Sequence, residues 1–248
     1  MSSLKIIIDK THLEQLKELS SEFNDANFMF FYIDSNILDF NLKDYDALVF
    51  FNPCCYAPDE KGFTGQFNDK EKEAIQNYVK NGGCLIVTTG FPVEDNPNRE
   101  DALAYFSKML NVKKIIDGIL FASNEKEYRG SKKNIICVPA KKEYAEGLKY
   151  VLAYESNLFI PNEKSEVILN GPKNTSFKSE EKVFENLQKP PIAITKKLGK
   201  GLIMGISSTQ MFMPITKNKT VPVNNKQFLV NIFNSLLKEK EKKEFAAI

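Results

Sequence analysis

The stretch Phe67-Asn-Asp-Lys-Glu-Lys-Glu-Ala-Ile-Gln-Asn-Tyr-Val-Lys-Asn-Gly-Gly-Cys-Leu-Ile-Val87 leads from a helix pattern directly into a strand pattern. Apolar residues recur at helical spacing between Asp69 and Lys80, and the pair Gly82-Gly83 ends the predicted helix. Cys84-Leu-Ile-Val-Thr88 is a short, mostly apolar run, typical of a strand buried on both faces of a parallel sheet. A helix that leads into such a strand predicts an α/β protein.

The residues on either side repeat this alternation. Residues 4–8, 28–33 and 47–51 predict three further strands, Thr11 begins a helix, and Asn98 caps another. Strands that alternate with helices predict a mostly parallel sheet with right-handed connections. If the strand order is 2-1-3-4, the carboxyl ends of the first and third strands are neighbours.

The second half predicts mostly strands. Strand-like runs occur at residues 115–121, 134–138, 150–160 and 166–169, and residues 162–189 are expected to form an exposed hairpin and loop. Ile192-Ala-Ile-Thr195 and Leu202-Ile-Met-Gly-Ile206 flank a glycine-containing turn, which predicts an antiparallel pair of strands.

The chain is expected to form a single domain over residues 1–237. Its last helix begins near Asn225 and continues into a charged C-terminal tail at residues 238–248. No boundary or repeat within the chain divides it convincingly.

Charge and composition exclude several classes of protein. The 34 basic and 32 acidic residues leave a net charge of +2, and only Arg99 and Arg129 among the basic residues are arginines. So few arginines and so little net charge argue against a nucleic-acid partner. No apolar run is long enough to span a membrane, and the N-terminal run is too short for a signal peptide. These features predict a soluble cytoplasmic protein.

The residues available for catalysis are few. The 248 residues include one histidine, His12, four cysteines and no tryptophan. None of the cysteines has C-x-x-C spacing, so no metal site is predicted, and Cys84 and Cys137 are expected to be buried. Neither glycine pair fits a phosphate-binding loop, so no cofactor is expected.

Three ordered segments carry a resemblance to a known family. They are residues 42–51, residues 67–87, and Gly199-Lys-Gly-Leu-Ile-Met-Gly-Ile206 followed by Asn225-Lys-Gln-Phe-Leu-Val-Asn-Ile-Phe233. The chain resembles the GIFT branch of the class I glutamine-amidotransferase-like superfamily. That branch includes the N-terminal domain of an intraflagellar-transport B-complex subunit and uncharacterised prokaryotic proteins. The resemblance implies a flavodoxin-like three-layer sandwich with additional antiparallel strands.

The resemblance also implies that this chain has lost the family's catalytic residues. Active members carry a cysteine in a G-x-C-x-G elbow and a His-x-Glu pair near the C-terminus. Here the elbow position reads Thr88-Thr89-Gly90-Phe91-Pro92, and the late strand end reads Ser207-Ser-Thr-Gln-Met-Phe212. A non-catalytic module that binds a protein or a ligand, in an intraflagellar-transport-like or trafficking assembly, is therefore expected.

Two alternatives remain open. The first is a small hydrolase in which the thiol of Cys54 or Cys55 acts with His12, the imidazole being oriented by Asp9 or Asp34. The second is a carbohydrate-binding module, because small polar residues at predicted strand ends suit a hydroxylated ligand. These ligand-binding candidates are Asp9, Asp34, Asn52, Thr88, Thr89, Ser207 and Ser208.

Two apolar segments are candidate protein-binding surfaces. The loop at residues 55–67 carries three aromatic residues among turn residues, and residues 209–215 carry two methionines and a phenylalanine. Exposed clusters of this kind mark interaction sites, whereas buried ones only cover the sheet edge.

Overall fold

A computed structural model describes residues 3–12, 27–90, 92–163, 165–212 and 222–245. In the first part of the chain the elements are β1 (Leu4–Asp9), β2 (Phe28–Ile33), β3 (Ala47–Phe51), α1 (Asp69–Lys80), β4 (Cys84–Thr88) and α2 (Arg99–Leu110). In the second part they are β5 (Val112–Ile116), β6 (Ile119–Ala122), β7 (Tyr128–Arg129), β8 (Ser131–Pro139), β9 (Val151–Tyr154), β10 (Leu158–Pro161), β11 (Glu166–Asn170), β12 (Thr175–Lys178), β13 (Val183–Leu187), β14 (Pro191–Leu198), β15 (Gly201–Ile206) and α3 (Val223–Phe245).

The largest sheet within the described residues is mixed. Its strand order is β2-β1-β3-β4-β15-β14-β11-β8-β7, and β9 pairs with β8 off this path. The first five strands run parallel, and the strands from β14 onward add antiparallel pairs. The structure thus has the strand order 2-1-3-4, the condition for the first and third strands to be neighbours, and the carboxyl ends of β1, β3, β4 and β15 share one edge.

Apolar strands explain why helices cover both faces of this sheet. β3 and β4 are buried along their whole length, and alternate residues face opposite sides. On one side they pack against α1 and α2, in a core that includes Ile75 and Phe106. On the other side they pack against α3, in a core that includes Phe228 and Ile232.

The predictions for the first half agree closely with the structure. The strands at residues 28–33, 47–51 and 84–88 and the helix at residues 69–80 have the predicted bounds. Asn68 and Glu71 form a reciprocal capping box at the start of α1. The helix that is predicted to start at Thr11 falls mostly on residues 13–26, which lie outside the described residues. The end of the apolar segment at residues 209–215, from residue 213 onward, lies outside them as well.

The second half departs from the predictions at three places. The run at residues 115–121 is divided into β5 and β6, and the run at residues 150–160 is divided into β9 and β10, which belong to different sheets. Residues 162–189 do contain a hairpin, formed by β12 and β13. That hairpin is not wholly exposed, however, because Phe177 is fully buried where β12 pairs with β6.

Candidate functional site

The sheet brings most of the predicted site residues to one edge. Strands β1, β3, β4 and β15 lie side by side, and the polar residues at their carboxyl ends are buried together. These buried residues are Asp9, Asn52, Thr88, Thr89, Ser207 and Ser208. Asp34, which follows the edge strand β2, is exposed instead.

The segment at the end of β4, residues 88–90, is held by internal hydrogen bonds. The Gly90 N–H donates to Asn52 Oδ1 over 3.0 Å, and the Asn52 N–H donates to the Thr88 carbonyl over 2.9 Å. The hydroxyls of Thr88 and Thr209 lie 2.6 Å apart, and the Thr209 N–H donates to the Thr89 carbonyl. Residues from adjacent strand ends of the same chain therefore occupy the space in which a ligand at the strand ends would otherwise bind.

The serines at the end of β15 differ in their hydrogen bonding. Ser208 Oγ accepts a hydrogen bond from the Tyr154 N–H at 2.9 Å and donates to the Tyr154 carbonyl at 2.7 Å. The hydroxyls of Ser207 and Thr89 are also buried, but they have no hydrogen-bond partner among the described residues. Thr89 and Ser207 directly follow the carboxyl ends of the paired strands β4 and β15.

Arg99 is a buried residue at this edge that the residue patterns did not predict. Its guanidinium is buried, pairs with both carboxylate oxygens of Asp117 and donates to the carbonyls of Pro53 and Gly90. Asn157 also donates to Asp117, at 2.7 Å. One side chain thus joins the loops after β3 and β4 to the turn after β5. A signal was present in the sequence, because arginine is so rare in this lysine-rich chain.

His12 is buried between two carboxylates. Its Nδ1 lies 2.5 Å from Asp9 Oδ2, and its Nε2 lies 3.7 Å from Glu71 Oε1. Burial disfavours the charged ring, but the hydrogen bonds and charges of Asp9 and Glu71 outweigh burial and raise the pKa of His12 to about 9. The ring also stacks on Phe67 at a centroid distance of 3.8 Å. His12 therefore carries a positive charge that stabilises this edge of the fold.

Cys54 and Cys55, beside this edge, are buried, and neither forms a disulfide within the described residues. Cys54 Sγ donates to the Gly65 carbonyl at 3.2 Å, and burial raises the pKa of its thiol to about 12. The Cys54 N–H, rather than its thiol, contacts His12, by donating to the His12 carbonyl at 2.7 Å. Cys55 is fully buried as well. Both nitrogens of the His12 ring face carboxylates, so the described contacts of the ring include no thiol.

The aromatic loop is exposed only in part. Phe67 is buried, Tyr56 is half-buried, and Phe63 keeps 48% of its surface in solvent. Cys84 and Cys137 are buried as predicted. Within the described residues no group of three or more His, Cys, Asp or Glu side chains is placed to hold a metal ion.

Two surface clefts, each of about 930 Å³, have none of the strand-end residues of this polar network in their walls. One is at the amino ends of the parallel strands, where Tyr45, Tyr78 and Lys240 line it. The other lies beside α2 and meets the network at Arg99 and Asp117. Neither cleft is lined by Asp9, Asn52, Thr88 or Ser207.

Known structures share this fold at low sequence identity. The mmIFT52 N-terminal domain is similar with a TM-score of 0.67 and 12% identity, over 94% of this chain and 97% of that domain. Cytoplasmic proteins STM1381 and STM3548 of Salmonella typhimurium are similar with TM-scores of 0.54 and 0.52, each at 13% identity, over 94% of this chain and 98% of theirs. No protein-family model and no curated protein sequence matches the chain.

The similarity therefore concerns the fold: a mixed α/β protein with a large, partly parallel sheet and smaller antiparallel sheets. None of the helices within the described residues is long and apolar enough to cross a bilayer.

Proposed function

We propose that this chain is a non-catalytic GIFT-type domain of the glutamine-amidotransferase-like superfamily, with a flavodoxin-like core, that acts as a protein-binding module. The shared fold with the mmIFT52 N-terminal domain supports an assembly role, in an intraflagellar-transport-like or trafficking complex. The domain spans residues 1–237 and is followed by a charged tail. It acts in the cytoplasm, as the two similar Salmonella proteins are described to do.

One observation carries the proposal: the crevice at the carboxyl ends of the strands is filled by the chain itself. Asn52 accepts a hydrogen bond from the Gly90 N–H, and the hydroxyl of Thr88 pairs with that of Thr209. The guanidinium of Arg99 is bonded to two backbone carbonyls and to Asp117. A thiol whose pKa is raised to about 12 is almost entirely protonated at neutral pH, so Cys54 is a poor nucleophile. An imidazole held protonated by two carboxylates cannot accept a proton from it.

Thiol reactivity and hydrolysis together test the absence of catalysis. The native protein is treated with iodoacetamide at pH 8, and we expect modification far slower than in the urea-unfolded chain. Hydrolysis of glutamine and of simple ester and amide substrates should stay at background. The Cys54→Ala variant and the matched buried-cysteine variant Cys137→Ala should give the same rates as the parent. Hydrolysis that is lost in Cys54→Ala and retained in Cys137→Ala would establish the hydrolase instead.

The carbohydrate-binding alternative has its own measurement. A ligand that binds only the folded state raises the melting temperature. We expect no shift with a broad panel of mono- and oligosaccharides, because six of the seven candidate ligand-binding residues are buried and only Asp34 is exposed. A shift that disappears in Asn52→Ala, and persists when exposed Asp34 is changed to Ala, would favour the sugar-binding function.

A further inference from the structure

Two exposed apolar side chains lie on adjoining loops near the carboxyl edge of the sheet. Phe63 keeps 48% of its surface exposed and Val93 keeps 50%. Phe63 belongs to the loop after β3, and Val93 to the segment after β4. We call residues 56–64 and 92–101 together the Phe63–Val93 surface. Exposed large apolar side chains on adjoining loops are candidates for sites of protein interaction.

The loop that carries Phe63 is held in one conformation by Asp59. Asp59 Oδ1 accepts from the N–H groups of Lys61 and Phe63, and the Asp59 carbonyl accepts from the Gly62 N–H. The Asp59 N–H completes the turn by donating to the Phe63 carbonyl at 2.9 Å. Phe63 is therefore presented on an ordered turn, which lowers the entropic cost of binding a partner.

Hydrogen bonds also join the two loops to each other. The N–H groups of Val93 and Glu94 both donate to the Cys55 carbonyl. Buried Asn96 then donates to the carbonyls of Tyr56 and Thr64, at 2.8 Å each. The two loops consequently form one preformed surface rather than two independent ones.

The charge on this surface is acidic, in contrast to the net charge of +2 on the whole chain. Its exposed acidic residues are Asp59, Glu60, Glu94, Asp95, Glu100 and Asp101. Two of them already have a lysine partner outside the surface, because Asp101 pairs with Lys72 at 2.8 Å and Glu100 lies 3.9 Å from Lys114. The acidic residues of the loops themselves, Glu60, Glu94 and Asp95, are therefore the ones offered to a partner. Only Lys61 and Arg99 are basic, and the Arg99 guanidinium is buried against Asp117. Opposite charges steer binding and select the partner, so a basic segment is the complementary one.

We propose that the Phe63–Val93 surface binds a basic segment of a partner protein, in which an apolar side chain flanked by lysines or arginines packs against the exposed Phe63 ring. The flanking cations pair with the acidic residues of both loops. This inference rests on the proposed function, because it names the surface through which the binding module works.

Labelled peptides of equal length test it by fluorescence anisotropy on the full chain. They are built from repeats of Lys-Lys-Leu, Lys-Lys-Ser and Glu-Glu-Leu. We expect the Lys-Lys-Leu peptide to bind most tightly, and the acidic peptide not to bind. Phe63→Ser should weaken the Lys-Lys-Leu complex about tenfold, as expected for a central apolar anchor. Glu94→Lys combined with Asp95→Lys should weaken it and flatten its dependence on salt.

Matched variants elsewhere on the surface are the controls. Val138→Ser removes an apolar side chain on β8 that is 54% exposed, and Asp39→Lys with Glu163→Lys reverses two exposed acidic residues. Neither change should alter binding, and circular dichroism checks that every variant is folded. Equal binding by the parent and Phe63→Ser, or no binding of the Lys-Lys-Leu peptide, overturns this surface. Both outcomes are independent of the thiol and hydrolysis measurements, which test whether the domain is non-catalytic.

Discussion

Ser207 and Ser208 are adjacent, and both are fully buried, but their hydroxyls have different surroundings. Ser208 Oγ makes two hydrogen bonds with Tyr154, whereas Ser207 Oγ has no partner among the described residues. A buried hydroxyl without a partner costs free energy, while removing a bonded one leaves its partners unsatisfied. We expect Ser208→Ala to lower the free energy of unfolding by about 1 to 3 kcal/mol. Ser207→Ala should leave it unchanged or raise it.

Urea unfolding of the two variants beside the parent measures this difference. Each variant serves as the control for the other, because the substitution, the strand end and the burial are the same. An equal loss in both variants would contradict the prediction, because it would mean that the Ser207 hydroxyl is bonded in solution.

Because of His12, we expect the free energy of unfolding to decrease as the pH rises above neutrality. Its pKa is about 9 in the folded protein and about 6.5 in the unfolded chain. The folded state thus keeps a proton that the unfolded state has released, and the stabilisation is lost as pH rises through this range. We expect the free energy of unfolding to fall by at most about 3 kcal/mol between these values.

The variant His12→Gln isolates this contribution. It should be less stable at pH 6, because Asp9 and Glu71 lose the cation between them, and its decline toward pH 9 should be shallower. Urea midpoints measured at intervals across the range give both slopes. Parallel slopes for the parent and the variant would show that another group titrates instead.

Arg99 illustrates what residue patterns could not predict. Its position at the start of α2 is visible in the sequence, but its four acceptors come from three separate loops. Contacts between Arg99 and these three loops form only when the whole sheet has folded, so a local sequence pattern does not reveal them. The strand-end polar residues were predictable because each one follows an apolar run, whereas their burial depends on loops that Arg99 holds in place.

At the scale of single elements, α1 and α2 both follow an asparagine, but only one asparagine caps its helix. Asn68 Oδ1 accepts from the Glu71 N–H, while the side chain of Asn98 makes no capping hydrogen bond. Loss of a bonded cap typically costs about 1 kcal/mol. We therefore expect Asn68→Ala to destabilise the protein by about that amount, and Asn98→Ala to have little effect, as measured by thermal unfolding. Similar losses in both variants would contradict the capping geometry.

Strands buried on both faces were the most predictable elements. β3 and β4 are continuous apolar runs bounded by polar residues, so their bounds are visible locally. The run at residues 150–160 looks equally continuous, yet Glu155 takes a positive φ of 47° and ends β9. Its carboxylate contacts Lys133 and Gln210, which are distant in sequence. Such a break depends on tertiary contacts that a local pattern does not contain.

For the whole molecule, alternation of strands and helices predicted the parallel half of the sheet, whereas its strand order was only supposed and comes from the structure. This strand order places the carboxyl ends of β1, β3, β4 and β15 side by side, so the polar residues that follow these strands lie at one edge of the sheet. The antiparallel half was less predictable, because β12 pairs with β6 across more than fifty residues of chain. When paired strands are this far apart in the chain, the only local indications of them in the sequence are alternating apolar residues and turn residues, and neither identifies the partner strand.

The proposed domain end at residue 237 can be tested on a chain that lacks residues 238–248. The side chains of α3 that pack in the core, from Phe228 to Leu236, precede this point. Beyond it, Lys240 Nζ lies 3.0 Å from Asp46 Oδ2 and 3.1 Å from the Ser3 carbonyl. Both charged side chains are about one-quarter exposed. A partly exposed ion pair contributes about 1 kcal/mol or less.

We therefore expect the chain ending at Leu237 to fold, with a melting temperature lower by only about 2 to 4 °C. Lys240→Ala in the full chain should account for most of that decrease, because it removes both contacts and leaves the helix intact. Calorimetry of the parent, the shortened chain and the point variant separates the two effects. An unfolded shortened chain beside a stable Lys240→Ala variant would mean that the end of α3 belongs to the domain through its backbone and apolar contacts, and that the boundary lies further along the chain.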